Sequence, residues 1–290
     1  MSQLAKKETR LARLQKIIRS RQNNFDKSKT IEDFYKATTF KGLINLYIEQ
    51  LKGLRSQTPT YGGSEWDGTI NPDTLEQLSH FISLNKFGML TIDSQDTSTS
   101  KGRNKSTGER YIYRQRAYIE GYLPTYLANT LKKLLESTNF YYKIVRVTEM
   151  EHVNIDEFPL TISSVDKSVI SSFPNNFDIN KWDLETHSPY GIGNKDFEMI
   201  TEYLNETLVE HLVNTTSFIF IVDMDWDRPN KDHLVKTLTS LLLKANIKMR
   251  NTWEFICDMV YNRSQTENDK KKLYEDASHI LNVDIEKIKQ

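Results

Sequence analysis

Cysteine is nearly absent: Cys257 is the only one in 290 residues. One thiol cannot close an intrachain disulfide, so the chain does not read as a secreted, cross-linked scaffold. Long apolar runs are missing too; residues 218–222 (Phe-Ile-Phe-Ile-Val) form the longest, far short of a bilayer span. The N-terminus carries charge but no apolar stretch of the kind a signal peptide needs. The expectation is a soluble, cytoplasmic protein, or a nuclear one where the cell has a nucleus. The six histidines show no HExxH spacing and no GxSxG occurs, so neither a zinc hydrolase nor an α/β-hydrolase is indicated. Internal repeats are also absent.

Net charge is zero overall but unevenly spread. Residues 1–150 hold 24 Lys and Arg against 15 Asp and Glu, and residues 151–290 hold 15 against 24. Such asymmetry fits a basic face that meets an anion, or two parts that attract each other.

With 38% hydrophobic and 11% aromatic residues the chain can bury a sizeable core. Alternating helical and strand-like stretches predict an α/β or α+β fold, a central mixed β-sheet flanked by helices. Three parts are expected: residues 1–28, a basic amphipathic helix and linker; 29–262, the mixed α/β domain; and 263–290, a charged C-terminal helix and tail. In the first, Leu4, Leu11, Leu14 and Ile18 form a stripe among seven basic residues and the single acid Glu8. An isolated helix of this length is marginal in water, so the stripe needs a surface to cover it. That surface is expected to be the body, a protein partner or a second copy of the chain. The alternative is nucleic acid, met by the basic helix and the loop bases Lys101, Arg103, Lys105 and Arg110.

A helix is expected from Thr30 to about Leu54, and another from Asn71–Pro72 until Gly88 stops it. A strand at 89–93 should pair with one or two strands at 111–122 across a long polar loop, 95–110. Pro124 opens a further helix and 141–147 is a strand. Residues 149–193 show no clean period beyond a strand at 160–163. Asn194 should cap a helix to about Leu212, followed by a buried strand at 217–224. A helix at 231–245, a strand or helix at 248–261 and a charged helix at 267–281 complete the pattern.

Three places hold residues suited to chemistry. At the end of the buried strand, Asp223, Asp225 and Asp227 would share one side if the chain stays extended, a set of oxygen ligands for Mg²⁺ or Mn²⁺. The plainer reading is acids at a strand-to-helix turn. In the paired strands, Ser94 and Gln95 end one and Arg114, Gln115 and Arg116 lie in the other. Guanidinium and amide groups there suit recognition of an anion or an amide edge, unless the arginines pair with acids such as Glu120. The third, Tyr190-Gly-Ile-Gly-Asn-Lys195, has glycines before a helix but lacks a phosphate-loop spacing. Cys257 sits among apolar residues and reads as packing.

The order Trp66, Asn71-Pro-Asp-Thr-Leu75, Leu84-Asn-Lys-Phe-Gly-Met-Leu-Thr-Ile-Asp-Ser-Gln95, Gln115-Arg-Ala117, Gly121 and Asp223-Met-Asp-Trp-Asp-Arg228 resembles a bacterial and viral domain family of unknown function. That family carries a Ser-Gln strand end, a Gln-Arg-Ala strand and a late Asp-x-x-Trp-Gly-Arg segment. The likeness covers residues 62–245. It departs at Lys86, where the family has Arg, at Asp227, where it has Gly, and in the insertion 95–110. It implies no activity. It does imply that Ser94, Gln95, Gln115, Arg116, Asp223, Trp226 and Arg228 edge one site.

The expected function is a binding protein with a polar cleft for an anionic, nucleotide-like ligand, in which Arg116 and Arg228 hold the anion, Gln95 and Gln115 read polar edges and Trp226 stacks. One alternative is a metal-dependent enzyme acting on a phosphoester, with Asp223 and Asp225 as ligands. Another is a scaffold or inhibitor working through protein–protein contacts.

Overall fold

The computed structural model describes residues 12–18, 20–21, 24–55, 72–103, 110–152, 158–164, 183–187, 197, 200–226 and 232–263. It shows a mixed α/β architecture with sheet between helices. Among the described residues every strand pairing is antiparallel, and the strands form two four-stranded sheets.

In chain order the elements are α1 (Lys27–Tyr35), α2 (Phe40–Leu51), α3 (Pro72–Lys86), β1 (Leu90–Gln95), β2 (Ser98–Arg103), β3 (Arg110–Gln115), β4 (Tyr118–Pro124), α4 (Thr125–Leu135) and β5 (Phe140–Arg146). A 3₁₀ turn at Val147–His152 comes next, then β6 (Phe158–Ser164), β7 (Asp183–His187), α5 (Glu206–Thr215), β8 (Thr216–Asp223) and α6 (His233–Arg263). The first sheet has the order β1-β4-β8-β5 and the second β2-β3-β6-β7.

β8 is the axis of the core. All eight of its residues are buried, as the unbroken apolar run requires. Alternation sends Ile219 and Ile221 to one face, with Phe81 and Leu84 of α3, Leu131 of α4 and Leu238 of α6. It sends Phe218, Phe220 and Val222 to the other, with Phe34 of α1, Leu43 of α2 and Leu208 of α5. The sheet is therefore covered on both sides, and each fully buried side chain contributes about 1.5–3 kcal/mol of transfer free energy.

Several sequence expectations change. The stretch 95–110 is not a single loop: β2 pairs with β3 from Ser98↔Gln115 to Arg103↔Arg110, leaving only 104–109 outside the described residues. Its Ser, Thr and Lys composition argued for a loop, but ladder hydrogen bonds need no apolar side chains. The helix expected over Thr30–Leu54 is two. Thr39 accepts from the Gly42 N–H at 3.0 Å and caps a new start. The helix expected from Asn194 to Leu212 is likewise interrupted at 202–205, where Asn205 caps α5. Residues 231–261 hold one helix, α6, instead of two elements. Residues 149–193 contain β7 as well as β6.

Gly88 ends α3 as expected, with φ +96°. Two members of the N-terminal stripe meet the body: Ile18, 3% exposed, packs with Leu75 of α3, and Leu14 and Leu78 lie against them, while Leu4 and Leu11 lie outside the described residues. No described helix is long and apolar enough to cross a membrane. The glycine turn at 190–195 and the charged segment at 267–281 lie outside the described residues.

Candidate functional site

β1 and β2, and β3 and β4, are halves of one long hairpin that passes from the first sheet to the second. The crossing uses two residues on each strand, Asp96-Thr97 and Arg116-Ala117, and all four are buried. Chain geometry explains the bend. Between Thr91↔Gly121 and Ser94↔Ile119, the two residues Ile92 and Asp93 stand opposite the single Glu120, a bulge that increases the local twist. Gly121 permits the close approach there, since a Cβ at this position would stand 2.3 Å from the Leu90 carbonyl oxygen. Asn85, at the end of α3, donates to the Phe81 carbonyl at 2.9 Å and to Thr91 Oγ1 at 2.8 Å, tying helix to strand. Gln77 of α3 donates through Nε2 to Asp96 Oδ1 at the crossing itself.

Three strand ends meet here. Gln95 pairs with Tyr118, Tyr118 pairs with Val222, and the Asp223 N–H donates to the Ala117 carbonyl at 2.9 Å. The structure thus brings Ser94, Gln95, Gln115, Arg116, Asp223 and Trp226 to one end of the first sheet. Ser94 and Gln95 are half-buried, Gln115, Arg116 and Asp223 are buried, and Trp226 is half-buried. Arg228 and Asp227 lie outside the described residues.

The centre of this cluster is Arg116. Its guanidinium carbon stands 3.9 Å from the centroid of the Trp226 ring, a cation–π stack. Burial pushes its pKa down to about 10, against the pull of the Asp223 and Asp225 carboxylates, which favour the charged form. Arg114, Gln115 and Glu120, on the same two strands, are also buried.

Asp223 closes β8 and shapes the turn beyond it. Its Oδ1 accepts from the Asp225 N–H at 3.1 Å, a side-chain turn that ends the extended chain. Its Oδ2 faces His233 Nδ1 at 3.0 Å, across the start of α6. Asp223 is 2% exposed at its side chain and His233 34%. With the carboxylate accepting, Nδ1 carries the proton and Nε2 is the ring nitrogen left for other contacts. Phe140 packs edge-on to the imidazole, with centroids 5.7 Å apart.

The carboxylate row expected for Mg²⁺ or Mn²⁺ is not formed by the described residues. The chain turns at Asp223, so Asp223 and Asp225 do not continue one extended edge, and both Asp223 oxygens already serve protein groups. Among the described residues no three His, Cys, Asp or Glu side chains gather in a way that would hold a metal.

Sequence reasoning missed Asp96, Gln77 and His233. The first interrupts a polar stretch that reads as loop and the second sits on a helix far away in sequence. His233 had a usable signal, a histidine at a helix start ten residues after a strand-ending aspartate.

No protein-family model matches the chain, and no match is found among curated proteins. The likeness to the domain family of unknown function rests on the quoted residues alone. Their positions have physical reasons in this fold: Asn85, Gly88 and Gly121 shape the hairpin, and Gln95, Gln115 and Arg116 border its crossing.

Proposed function

We propose that the protein binds a small anionic, nucleotide-like ligand at the end of the first sheet. The observation that carries this reading is the buried Arg116 guanidinium stacked on Trp226 where three strands end. A guanidinium offers a planar fork of donors to a phosphate, and an indole offers a second face to a base. Burial disfavours the Arg116 charge and the Asp223 and Asp225 carboxylates favour it; an arriving anion would favour it further. Because those carboxylates already offset part of the charge, a ligand with one phosphate suits the site better than one with three. Gln95 and Gln115 stand at the same end to read polar edges. The test is quenching of tryptophan fluorescence by nucleoside monophosphates with metal chelated. Saturable quenching that is lost in Arg116→Ala and Trp226→Leu supports the reading, and its absence refutes it.

The Asp223–His233 pair favours one second reading, an enzyme acting on a phosphoester. A carboxylate behind an imidazole is the arrangement that orients a general base. Turnover of phosphodiester substrates that is lost in His233→Gln, with nucleotide binding retained, would establish it. Dependence of that turnover on Mg²⁺ or Mn²⁺ would restore the metal as a participant.

A further inference from the structure

A second surface lies on the outer side of the helices that cover the Ile219–Ile221 face of the first sheet. There α6 packs against both α3 and α4, and its inward residues Leu234, Leu238 and Leu242 are buried in the core. Two side-chain contacts hold its middle in place. Asn246 Nδ2 donates to the Phe87 carbonyl beyond the end of α3 at 2.9 Å, and Thr130 Oγ1 of α4 donates to Met249 Sδ at 3.2 Å. Phe140, just past α4, meets His233 at the other end of α6, so α4 and α6 run antiparallel. The outward face of this fixed stretch carries Leu243 and Ile247, neighbours one turn apart that are 43% and 51% exposed. The exposed charges beside them are basic. Lys244 is on α6 itself, Lys86 precedes the Phe87 contact, and Lys132 and Lys133 lie on the turn of α4 after Thr130. Against them stand Glu136 at the end of α4 and Glu76, which lies on α3 about 15 Å along the helix from Lys86. Asp232 is already paired with Lys236 at 2.7 Å.

We infer that this face docks on an anionic lipid surface, with Leu243 and Ile247 entering among the headgroups and Lys86, Lys132, Lys133 and Lys244 meeting the lipid phosphates and carboxylates. The charge decides against a second copy of the chain, since the face laid on itself brings lysines against lysines. The apolar pair decides against nucleic acid: a phosphate backbone satisfies the lysines but offers Leu243 and Ile247 no apolar medium to enter. The boundary of a bilayer serves both, taking up aliphatic side chains while its acidic headgroups attract the bases around them. The lysine stems can lie along the apolar surface with their ammonium groups at headgroup level. The contact is peripheral, with α6 lying along the surface; no described helix is long and apolar enough to cross it. It does not involve the Arg116–Trp226 end of the sheet and stands whether or not that end binds a nucleotide.

Co-sedimentation of the full chain with vesicles tests this, comparing phosphatidylcholine alone with phosphatidylcholine mixed with phosphatidylserine. Binding is expected only to the mixed vesicles, and it should weaken as salt screens the lysines. The triple reversal Lys132→Glu, Lys133→Glu, Lys244→Glu, all at exposed positions, should weaken it by more than about a hundredfold. Leu243→Ser with Ile247→Ser should weaken it roughly tenfold while leaving its salt dependence in place. Both variants should keep the wild-type circular dichroism spectrum and unfolding midpoint, since none of these side chains is buried. A wild-type chain that ignores the mixed vesicles overturns the inference. So does binding that survives the triple reversal, which would place the contact elsewhere on the chain, on the basic N-terminal segment for example. Binding that the serine pair leaves unchanged also overturns it, because the face would then be a plain polyanion site; capture of an oligonucleotide by that variant at wild-type strength would assign it to nucleic acid.

Discussion

Gly121 and Asn205 carry much of the local geometry. Any side chain at Gly121 must push β1 from β4, because its Cβ meets the Leu90 carbonyl at 2.3 Å. Gly121→Ala is therefore expected to destabilise the fold by about 1–3 kcal/mol, measured by urea unfolding. Asn205 supplies one cap acceptor and two donors, so Asn205→Ala should cost about 2 kcal/mol. Asn205→Asp keeps the acceptor and should fall between that variant and wild type. Arg116 is expected to behave in the opposite way. Its folded pKa of about 10 lies below the ordinary arginine value, so the folded state gives up that proton first. Wild-type stability therefore gains from this group as pH rises above about 10, and below pH 10 the group is a standing cost. Arg116→Met removes that burial cost together with the attraction to Asp223 and Asp225, so it should shift the unfolding midpoint little at neutral pH while abolishing ligand binding. Gly88 was legible in the sequence because a glycine after a helical stripe has one common use. Gly121 was not legible from periodicity, since close approach of two backbones leaves no pattern in the residues themselves.

At the level of elements, the N-terminal segment is a satellite of the core. Among the described residues, only Ile18 and Leu75 are buried in its contact. Ile18→Asp should raise amide exchange at 12–18 to that of local opening while α2 and α3 keep their protection, read by hydrogen exchange with mass spectrometry. The elements legible in advance are those whose side chains decide the matter. β8 is an apolar run buried on both faces, and α3 has a proline at its first position and a glycine after its last turn. The elements that were misread are those decided by backbone or by capping. Ser98–Arg103 is a strand because it pairs with Arg110–Gln115, not because of its side chains. The breaks before Phe40 and Glu206 depend on Thr39 and Asn205, cap residues that look ordinary inside a helical stripe.

Across the whole molecule, two sheets share one hairpin, and the polar cluster lies where that hairpin crosses between them. The convergence of 94–95, 115–116 and 223 could not be read from the sequence, because strand order is a property of pairing between distant segments. The unequal charge of the two halves was legible in the sequence. Most depends on whether the Arg116–Trp226 end of the sheet binds an anion carried by a stackable ring. Thermal unfolding of wild type and Arg116→Met across a panel of nucleoside mono-, di- and triphosphates and inorganic phosphate decides it. At a hundred times its dissociation constant, a ligand bound only by the folded state stabilises by about 2.7 kcal/mol. A shift of that size is expected for a nucleoside monophosphate, a weak one for inorganic phosphate, and none for Arg116→Met with either. No shift for any compound, or an equal shift in both proteins, would mean that this end of the sheet is not the binding site.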